Sequence, residues 1–376
     1  MKILFVTHYP DLYGANKSLL DLLNGLSMFQ DIRCEVVCPK GPIMDEIKKK
    51  NFKCYETKYY ADVYDKNDYF FIFKGIIKWA LNSYALLKLL YILRDNQIDI
   101  VHTNSSVTFL GAYIAFFKKN HHVWHIREFV YDDYNLKYYG GNNYFRKWLK
   151  RSYAIAISKS IYDKRLNGIS EMRKIQMYNG IISKDIVLKE PKVISDKISF
   201  AIIGMIAEAK NQLEAINIFY KFHSKFPNSS LYIVGSGIDK KYIDLLKKKI
   251  EDYNIKDSVI FTGYIKDVIA FLKAVHVLLM CSKNEALGRV TVEAMSQGVP
   301  VIGFNNAGTS EIIIDDYNGL LYNDENELLN KMIEIFFNLD LYSKLSHNAL
   351  ISVNKFTIEN YSLYIYNYYL QLIGNG

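Results

Sequence analysis

The sequence predicts an α/β protein composed of two Rossmann-like domains. Three observations support this fold class: a length of 376 residues, which is long for one hydrophobic core, a hydrophobic fraction of 50%, and short apolar runs that alternate with longer helical patterns. Strands that are separated by helix-length segments form parallel sheets, and two successive series of such strands indicate two domains.

Each series contributes five predicted strands. In the first half these are 2–7, 32–38, 98–103, 121–126 and 153–158, and in the second half 198–204, 230–235, 258–262, 275–281 and 299–303. We therefore predict an N-terminal domain over 1–182 and a C-terminal domain over 198–356, joined by a charged linker over 183–197 that contains Pro191. A Tyr-rich helical pattern occupies the C-terminal segment, 357–376.

The formal net charge of +8 is unevenly distributed. Residues 1–190 contain 29 Lys and Arg against 19 Asp and Glu, whereas residues 191–376 contain 18 against 20. A basic first half favours a polyanionic partner, either an anionic membrane surface or a nucleic acid. Nucleic acid is disfavoured, because the sequence has neither a zinc-finger spacing nor an aromatic RNA-binding signature.

The cysteines and the lengths of the apolar runs predict a cytoplasmic protein. The four cysteines lie in or beside apolar strand-like runs without paired C-x-x-C spacing, which is typical of buried free thiols in a reducing compartment. The first residues indicate a β-strand rather than a secretion signal. No stretch reaches the roughly 18 consecutive apolar residues that a membrane span needs.

One segment, 69–94, mixes aromatic and aliphatic residues with Lys74, Lys78 and Lys88. This composition suits a helix that lies in a membrane interface, with apolar side chains in the lipid and lysines at the headgroups. An ordinary amphipathic helix packed on the sheet would have similar spacing and is the alternative interpretation.

A segment of the second half places two carboxylates eight positions apart around a glycine: Glu285-Ala-Leu-Gly-Arg-Val-Thr-Val-Glu293-Ala-Met295. It lies between an apolar strand and a helix, and ligands of open α/β sheets bind where strands end and helix N-termini face an anion. The segment resembles the paired-glutamate signature of the retaining glycosyltransferases of family 4. That family has the GT-B fold, in which two Rossmann-like domains face a central cleft, so the resemblance implies a sugar-transferring enzyme.

The resemblance continues over roughly 120 residues. Three further segments match the family pattern: Gly298-Val-Pro300-Val-Ile-Gly303, Gly308-Thr-Ser-Glu311-Ile-Ile and Asn318-Gly-Leu-Leu321. Ala307 stands where the family usually has a second glycine. A capped helix with incidental acids is the alternative interpretation of the glutamates, and the adjoining matches disfavour it. The resemblance also implies that the C-terminal helix crosses back onto the N-terminal domain.

A nucleotide sugar requires cations or N–H groups for its phosphates, a carboxylate for its ribose and hydrogen-bonding groups for its sugar. The segment 201–212 indicates a strand, a loop and a helix start, so that Lys210 lies at the ligand edge of the sheet. The resemblance implies that Lys210 binds the diphosphate, that Glu285 contacts the sugar and balances charge at its anomeric carbon, and that Glu293 accepts from the ribose hydroxyls. A solvated surface charge is the alternative for Lys210.

The residues around Gly288 complete the predicted donor site. Gly288 lets the backbone approach the phosphates, and the following helix directs its N–H groups towards them, with Leu287 and Arg289 as adjoining donor-binding residues. Family 4 enzymes usually have an arginine at the position that matches Met205, and our hypothesis is that Arg289 replaces it.

Two segments of the first half carry further candidate residues. Gly14 precedes a helical pattern, and the free N–H groups at such a start favour an anion; the resemblance assigns Gly14 to the donor phosphates, with a plain turn glycine as the alternative. The resemblance also places the strand-end histidine of the family at His125, close to the donor sugar, although a lone histidine is more often structural. Asn104 and Arg127, which follow neighbouring predicted strands, are the candidate acceptor-binding residues.

The implied reaction transfers a sugar from a nucleotide diphosphate sugar with retention at the anomeric carbon, with His125, Lys210 and Glu285 as its catalytic residues. We expect no cofactor and no metal, because cationic groups and helix termini stabilise the diphosphate. The expected acceptor is a lipid-linked glycan or an oligosaccharide of cell-surface polysaccharide biosynthesis, at the cytoplasmic, anionic face of the inner membrane. A soluble enzyme acting on a small sugar or sugar phosphate and a noncatalytic nucleotide-sugar-binding protein remain alternatives.

Overall fold

The structure is a computed structural model that describes residues 1–192, 197–237 and 239–374. The chain divides into two compact units, and each is described by itself. The N-terminal unit contains Met1–Gly180 and the C-terminal segment that begins at Ile358, and the C-terminal unit contains Ile181–Thr357. Of the predicted linker over 183–197, residues 193–196 lie outside the described residues.

In the described part of the chain, the N-terminal unit has a parallel sheet of seven strands in the order β3-β2-β1-β5-β6-β8-β9, with a separate antiparallel pair, β4-β7. The strands are β1 (Lys2–Val6), β2 (Arg33–Cys38), β3 (Lys53–Glu56), β4 (Val63–Asp65), β5 (Ile100–Thr103), β6 (His121–Ile126), β7 (Leu136–Tyr138), β8 (Tyr153–Ala156) and β9 (Lys174–Gln176). The helices are α1 (Gly14–Leu26), α2 (Pro42–Lys49), α3 (Phe71–Ile92), α4 (Leu110–Lys118), α5 (Tyr131–Tyr134), α6 (Gly141–Leu149) and α7 (Lys159–Arg165).

Within its described residues, the C-terminal unit has a parallel sheet of six strands in the order β12-β11-β10-β13-β14-β15. The strands are β10 (Ile198–Ile203), β11 (Ser229–Val234), β12 (Val259–Gly263), β13 (Val277–Met280), β14 (Val301–Phe304) and β15 (Leu320–Tyr322). The helices are α8 (Gln212–His223), α9 (Lys240–Asp252), α10 (Val268–Leu272), α11 (Arg289–Ser296), α12 (Ala307–Ile312), α13 (Glu325–Phe337) and α14 (Leu339–Ser352). The last helix of the chain, α15 (Ile358–Gly374), returns to the N-terminal unit.

The two parallel sheets confirm the predicted fold class of two Rossmann-like domains. The central strands are apolar and buried along their whole length, as β10 is, because helices cover both faces of a parallel sheet. The sequence prediction missed the edge strands β3, β9 and β15, each of which has only three or four residues. Edge strands bury less surface, so their apolar pattern is weak; no residue of β9 is fully buried.

Helix α15 packs against α1 in the N-terminal unit. Its buried residues Tyr361, Ile365 and Tyr369 belong to the same apolar cluster as Leu22 and Leu23 of α1. The close approach depends on a glycine, because a Cβ atom at position 25 of α1 would lie 1.8 Å from the side-chain oxygen of the facing serine of α15.

The residues that follow Gly180 lie on the C-terminal unit. The Leu188 amide donates to the Ser296 carbonyl at 3.0 Å. The Lys192 ammonium donates to the carbonyls of Leu272, Lys273 and Val275 at 2.6–2.8 Å, which satisfies the C-terminal end of α10. Burial lowers the pKa of Lys192 to about 8.

Helix α3 is attached to the N-terminal unit along one narrow stripe. Its buried residues are Asn82, Ala85 and Leu89, spaced at one side of the helix. Asn82 attaches α3 to the segment before β4, because its side chain accepts from the Tyr60 amide at 2.8 Å and donates to the Tyr60 carbonyl at 2.9 Å. Within the described residues, none of the helices combines the length and the apolar character that a bilayer crossing requires.

Candidate functional site

The loop that carries Lys210 is shaped by contacts between the ends of β10 and β11. The Gly204 amide donates to the Val234 carbonyl at 2.9 Å, and the Ile206 amide donates to the Ser236 carbonyl at 3.0 Å. Gly235 has a φ of +139°, and a Cβ atom there would lie 1.9 Å from the Gly204 carbonyl oxygen. Only glycine tolerates this backbone approach, which explains the glycine at the end of β11.

Lys210 and Glu285 meet at the ends of neighbouring strands. The Lys210 ammonium donates to Oε2 of Glu285 at 2.5 Å, and the two side chains are 28% and 15% exposed. Lys210 ends the short 3-10 turn after β10, and Glu285 lies in the loop after β13, which pairs with β10. The Glu285 carbonyl accepts from the Gly308 amide at 2.8 Å, so the start of α12 holds this loop in place.

The second glutamate lies one helical turn from Arg289. Arg289 Nε donates to Oε1 of Glu293 at 2.9 Å, and Arg289 Nη2 donates to the Ile181 carbonyl at 3.1 Å. Gly288 precedes the helix with φ at +87°, a left-handed conformation that favours glycine. The neighbouring Leu287 is buried, so its side chain supports the loop from within.

The charged residues of this edge therefore form two neutral pairs, Lys210 with Glu285 and Arg289 with Glu293. All four side chains are partly exposed, which leaves them accessible to a ligand. Met205, at the position where an arginine was expected, is 38% exposed and has no charge to contribute. A dianionic ligand at this edge would compete with the glutamates for the two cations.

Three buried hydroxyl groups near this edge were not singled out from the sequence. The side-chain oxygens of Ser282, Thr291 and Thr309 have no hydrogen-bond partner among the described residues. Thr291 lies in the first turn of α11, where Oγ1 is 3.2 Å from the position that a Cβ atom at Gly288 would occupy. For Thr291 and Thr309, the sequence signal was a small hydroxyl residue in the first turn of a helix.

In the N-terminal unit, Gly14 is the first residue of α1 and is open on its outer side. Among the described residues, a Cβ atom at Gly14 would have no neighbour within 4 Å. Asn16 shapes the preceding loop by donating to the carbonyls of Tyr9 and Asp11 at 2.9 and 2.7 Å, and it accepts from the Thr7 hydroxyl. The first amides of α1 thus form an accessible helix N-terminus.

His125 lies in a buried row of polar side chains at the end of β6. Its Nδ1 is 3.2 Å from His102 Nε2 and 3.3 Å from Arg127 Nη2. His102 Nδ1 is in turn 2.6 Å from the Tyr369 hydroxyl of α15. Burial and the Arg127 charge hold the pKa of His125 well below its usual range, and its Nε2 atom has no partner among the described residues.

The two candidate acceptor residues lie together and are buried. Arg127 Nε donates to the backbone and side-chain oxygens of Asn104 at 3.1 and 3.0 Å, and Nη1 donates to Asn179 Oδ1 at 2.7 Å. Asn104 Nδ2 donates to the Ala15 carbonyl at 3.0 Å. These bonds tie strand ends to the start of α1, and the role of both residues in acceptor binding stays a prediction.

Two other features concern metals and thiols. The residues that the structure describes contain no group of three or more His, Cys, Asp or Glu side chains that could hold a metal ion. Cys34, Cys38 and Cys281 are buried free thiols and Cys54 is a half-buried free thiol.

Two protein families match the chain, one on each half. Residues 13–182 match Glycosyltransferase Family 4, and residues 184–350 match Glycosyl transferases group 1. The fold and the two matches define a glycosyltransferase of the GT-B class. The first half of the chain thus matches a family 4 domain and the second half a group 1 domain.

Known proteins similar to the chain include two relatives and a solved structure. Alpha-monoglucosyldiacylglycerol synthase of Acholeplasma laidlawii is 28% identical over 181 residues, which are 48% of this chain and 45% of that protein, so the match spans less than half of the relative. Uncharacterized glycosyltransferase MJ1178 of Methanocaldococcus jannaschii is 27% identical over 317 residues, 79% of this chain and 84% of its own. The crystal structure of Anabaena Alr3699/HepE in complex with UDP-glucose has a TM-score of 0.79 at 17% identity and covers 100% of both chains.

Proposed function

We propose that this protein is a retaining, metal-independent glycosyltransferase that transfers a sugar from a nucleotide diphosphate sugar to a hydroxyl of a lipid-linked or oligosaccharide acceptor in cell-surface polysaccharide biosynthesis. The observation that carries the proposal is the ion pair between Lys210 and Glu285, two groups that a nucleotide sugar requires, at the ligand edge of the C-terminal sheet. The UDP-glucose complex of the structural neighbour supports a nucleotide sugar as donor.

The proposed donor site exchanges ion-pair partners when the nucleotide sugar binds. Lys210 leaves Glu285 for the diphosphate, and Glu285 is then free to accept from sugar hydroxyls and to face the positive charge that develops on the anomeric carbon. Arg289 and the amides after Gly288 add positive potential at the phosphates, and Glu293 accepts from the ribose hydroxyls. These groups can neutralise the departing diphosphate, which is why we assign no metal and no cofactor.

Retention follows in this proposal from attack on the face of the sugar that the diphosphate leaves. The leaving phosphate accepts the proton of the acceptor hydroxyl while the bond to the anomeric carbon breaks. Gly14 is assigned to the donor phosphates and His125 to the donor sugar. The open helix start at Gly14 and the unpartnered Nε2 of His125 support these two assignments.

The acceptor is proposed to lie at an anionic membrane surface that α3 contacts. The helix is about 33 Å long at 1.5 Å per residue. It exposes a large apolar face: Ile72, Phe73, Ile76, Ile77, Trp79, Leu81, Tyr84, Leu87, Tyr91 and Ile92. An exposed patch of this extent is rare on a soluble protein unless it has a partner. The exposed Lys74 and Lys88 and the basic first half of the chain complement anionic headgroups.

Two further observations support the membrane assignment. Phe116 and Phe117 are 56% and 60% exposed at the end of α4, which contacts α3. Lys118 donates to the Leu93 carbonyl at 2.5 Å, so these phenylalanines lie beside the C-terminal end of α3. The Acholeplasma relative is named as a monoglucosyldiacylglycerol synthase, and that name is consistent with a lipid acceptor.

The donor assignment is tested by thermal denaturation in the presence of a panel of nucleotide sugars, followed by transfer and hydrolysis assays with those that bind. A bound donor raises the midpoint by mass action and identifies base and sugar together. Donor binding without transfer or hydrolysis would favour the noncatalytic alternative. Transfer to a free small sugar or sugar phosphate would favour the soluble-enzyme alternative.

The membrane assignment is tested with the fluorescence of Trp79, which is 72% exposed on α3. Anionic vesicles of phosphatidylcholine with phosphatidylglycerol should shift the emission maximum of Trp79 to shorter wavelength. Neutral vesicles of phosphatidylcholine alone should cause a smaller shift. Phe73→Gln with Ile76→Gln should abolish binding, whereas the control Phe337→Gln with Leu339→Gln, at exposed apolar positions of the C-terminal unit, should not. Equal binding by both double variants, or none by the native chain, would contradict the assignment.

A further inference from the structure

Arg127 determines which nitrogen of His125 carries the proton. A guanidinium can only donate hydrogen bonds, so His125 Nδ1, at 3.3 Å from Arg127 Nη2, must be an acceptor. The proton of the neutral ring is therefore on Nε2, which is buried and has no partner among the described residues. His125 thus presents an N–H donor without an acceptor.

The same reasoning fixes the proton positions further along the row. His102 Nε2 lies 3.2 Å from the accepting Nδ1 of His125, so it must be the donor of that contact. His102 then carries its proton on Nε2 and accepts through Nδ1, and the Tyr369 hydroxyl, 2.6 Å away, must donate to it. The two hydrogen bonds therefore have the same direction: Tyr369 donates to His102, and His102 donates to His125.

The surroundings keep both rings neutral. His102 comes from β5, His125 from β6, Arg127 from the segment after β6, and Tyr361 and Tyr369 from α15. Burial and the Arg127 charge lower the pKa of both histidines well below the usual range. A protonated imidazolium next to the guanidinium would be disfavoured by like-charge repulsion in a buried site.

We propose that Tyr369, His102 and Arg127 are positioning residues that hold His125 as a fixed hydrogen-bond donor through Nε2, directed at an oxygen of the sugar, and not as a general base. The inference rests on the proposed function for the identity of the acceptor oxygen. It also assigns a role to α15, because this helix supplies the Tyr369 hydroxyl, whose donation to His102 fixes the direction of the following hydrogen bond to His125.

Long-range nitrogen-15 correlation spectra of the full-length protein labelled at histidine test the tautomers without any activity measurement. Both rings should have a protonated Nε2 and an unprotonated Nδ1 at pH 7, with assignments from His125→Gln and His102→Gln. Tyr369→Phe should mix the tautomers of His102, whereas Tyr366→Phe on the same helix, whose exposed hydroxyl contacts Asp31, should change neither ring. A proton on Nδ1 of His125 would overturn the proposal, even if the protein transferred no sugar.

Substitutions of His125 test the donor role once transfer is measured. The amide of glutamine reaches the position of Nε2 and can donate but cannot act as a base. His125→Gln should therefore keep kcat within about tenfold of the native value, a loss comparable to one neutral hydrogen bond, whereas His125→Ala should lose more. Tyr369→Phe should lower kcat about two- to tenfold with the donor KM unchanged. A glutamine variant as inactive as the alanine variant, with both folded, would contradict the donor role and leave the proposed reaction intact.

Discussion

Lys210 donates a hydrogen bond to Oε2 of Glu285 at 2.5 Å, across a sequence separation of 75 residues. Each partner is a group that a bound nucleotide sugar would require for itself. The pair holds both side chains together at the strand ends, and in the proposed donor site the ligand has to separate them. We therefore expect Lys210→Ala to weaken binding of the nucleoside diphosphate and Glu285→Gln not to weaken it.

Lys210→Ala removes the cation and should weaken binding of the nucleoside diphosphate about 10- to 100-fold, because a charge-assisted hydrogen bond contributes about 1.5–3 kcal/mol. Most turnover should be lost with it. Titration calorimetry measures the affinity, and Lys283→Ala, at an exposed lysine of the adjoining loop, is the control. Native affinity in Lys210→Ala would remove Lys210 from the donor site.

Glu285→Gln should lower turnover about 10²- to 10³-fold, because it removes a group that stabilises charge in the transition state. Binding of the nucleoside diphosphate should be retained or become tighter, since Lys210 no longer has an anionic partner in the free protein. Turnover and affinity measured on the same preparation separate the two effects. Weaker diphosphate binding in this variant would contradict the exchange of partners.

Arg289→Ala should weaken donor binding about tenfold, the order of one charge-assisted hydrogen bond. Met205→Arg introduced into that variant should recover part of the affinity if Arg289 replaces the arginine that family 4 usually has there. Arg289 also donates to the Ile181 carbonyl, so its loss could destabilise the fold as well as weaken donor binding. The thermal midpoint of the free protein measures the effect on the fold separately. A lowered midpoint with native donor affinity would show that Arg289 serves only the fold.

Ala307→Gly should raise the free energy of unfolding by up to about 1 kcal/mol, because Ala307 has a φ of +50° and a side chain is strained in the left-handed region. The neighbouring Gly308→Ala should have the opposite effect, since its Cβ atom would lie 2.6 Å from the Leu287 Cα. That change should also displace the loop of Glu285 and lower turnover. Urea denaturation measures both variants, and a destabilised Ala307→Gly protein would contradict the strain.

The N-terminal unit should lose stability as the pH falls below 6.5. Burial lowers the pKa of His8 and of His122 from 6.5 to about 3, so the folded state keeps these rings neutral while the unfolded chain binds protons. The contribution of these histidines to the free energy of unfolding is retained above pH 6.5 and decreases as the pH falls towards 3, by about 2 kcal/mol per histidine at pH 5. His102 and His125 act in the same direction.

Tryptophan fluorescence measures this effect selectively, because all three tryptophans, at positions 79, 124 and 148, belong to the N-terminal unit. Urea midpoints at pH 7, 6 and 5 should decline for the native chain and decline less steeply for His122→Gln. The exposed His347→Gln is the control and should not alter the slope. A pH dependence that His122→Gln leaves unchanged would rule out the proposed proton uptake by His122 on unfolding.

The local pattern of the chain predicted the central strands but not the partners of the site residues. Apolar runs such as β10 and β13 were identified because burial on both faces leaves a continuous hydrophobic signal. The acceptor prediction rested on strand-end position, and such a position does not say where a side chain points. In the structure, Arg127 directs its guanidinium inward to Asn104 and Asn179.

The sequence by itself determined the fold class, the paired-glutamate signature and the apolar character of α3, because periodicity, composition and motif spacing are properties of neighbouring residues. Only the tertiary structure decided that Lys210 pairs with Glu285, that Tyr369 reaches His102 from 267 residues away, and that α3 buries just one stripe. The physical reason is that hydrogen-bond partners and exposed faces depend on which elements the packing of the core brings together.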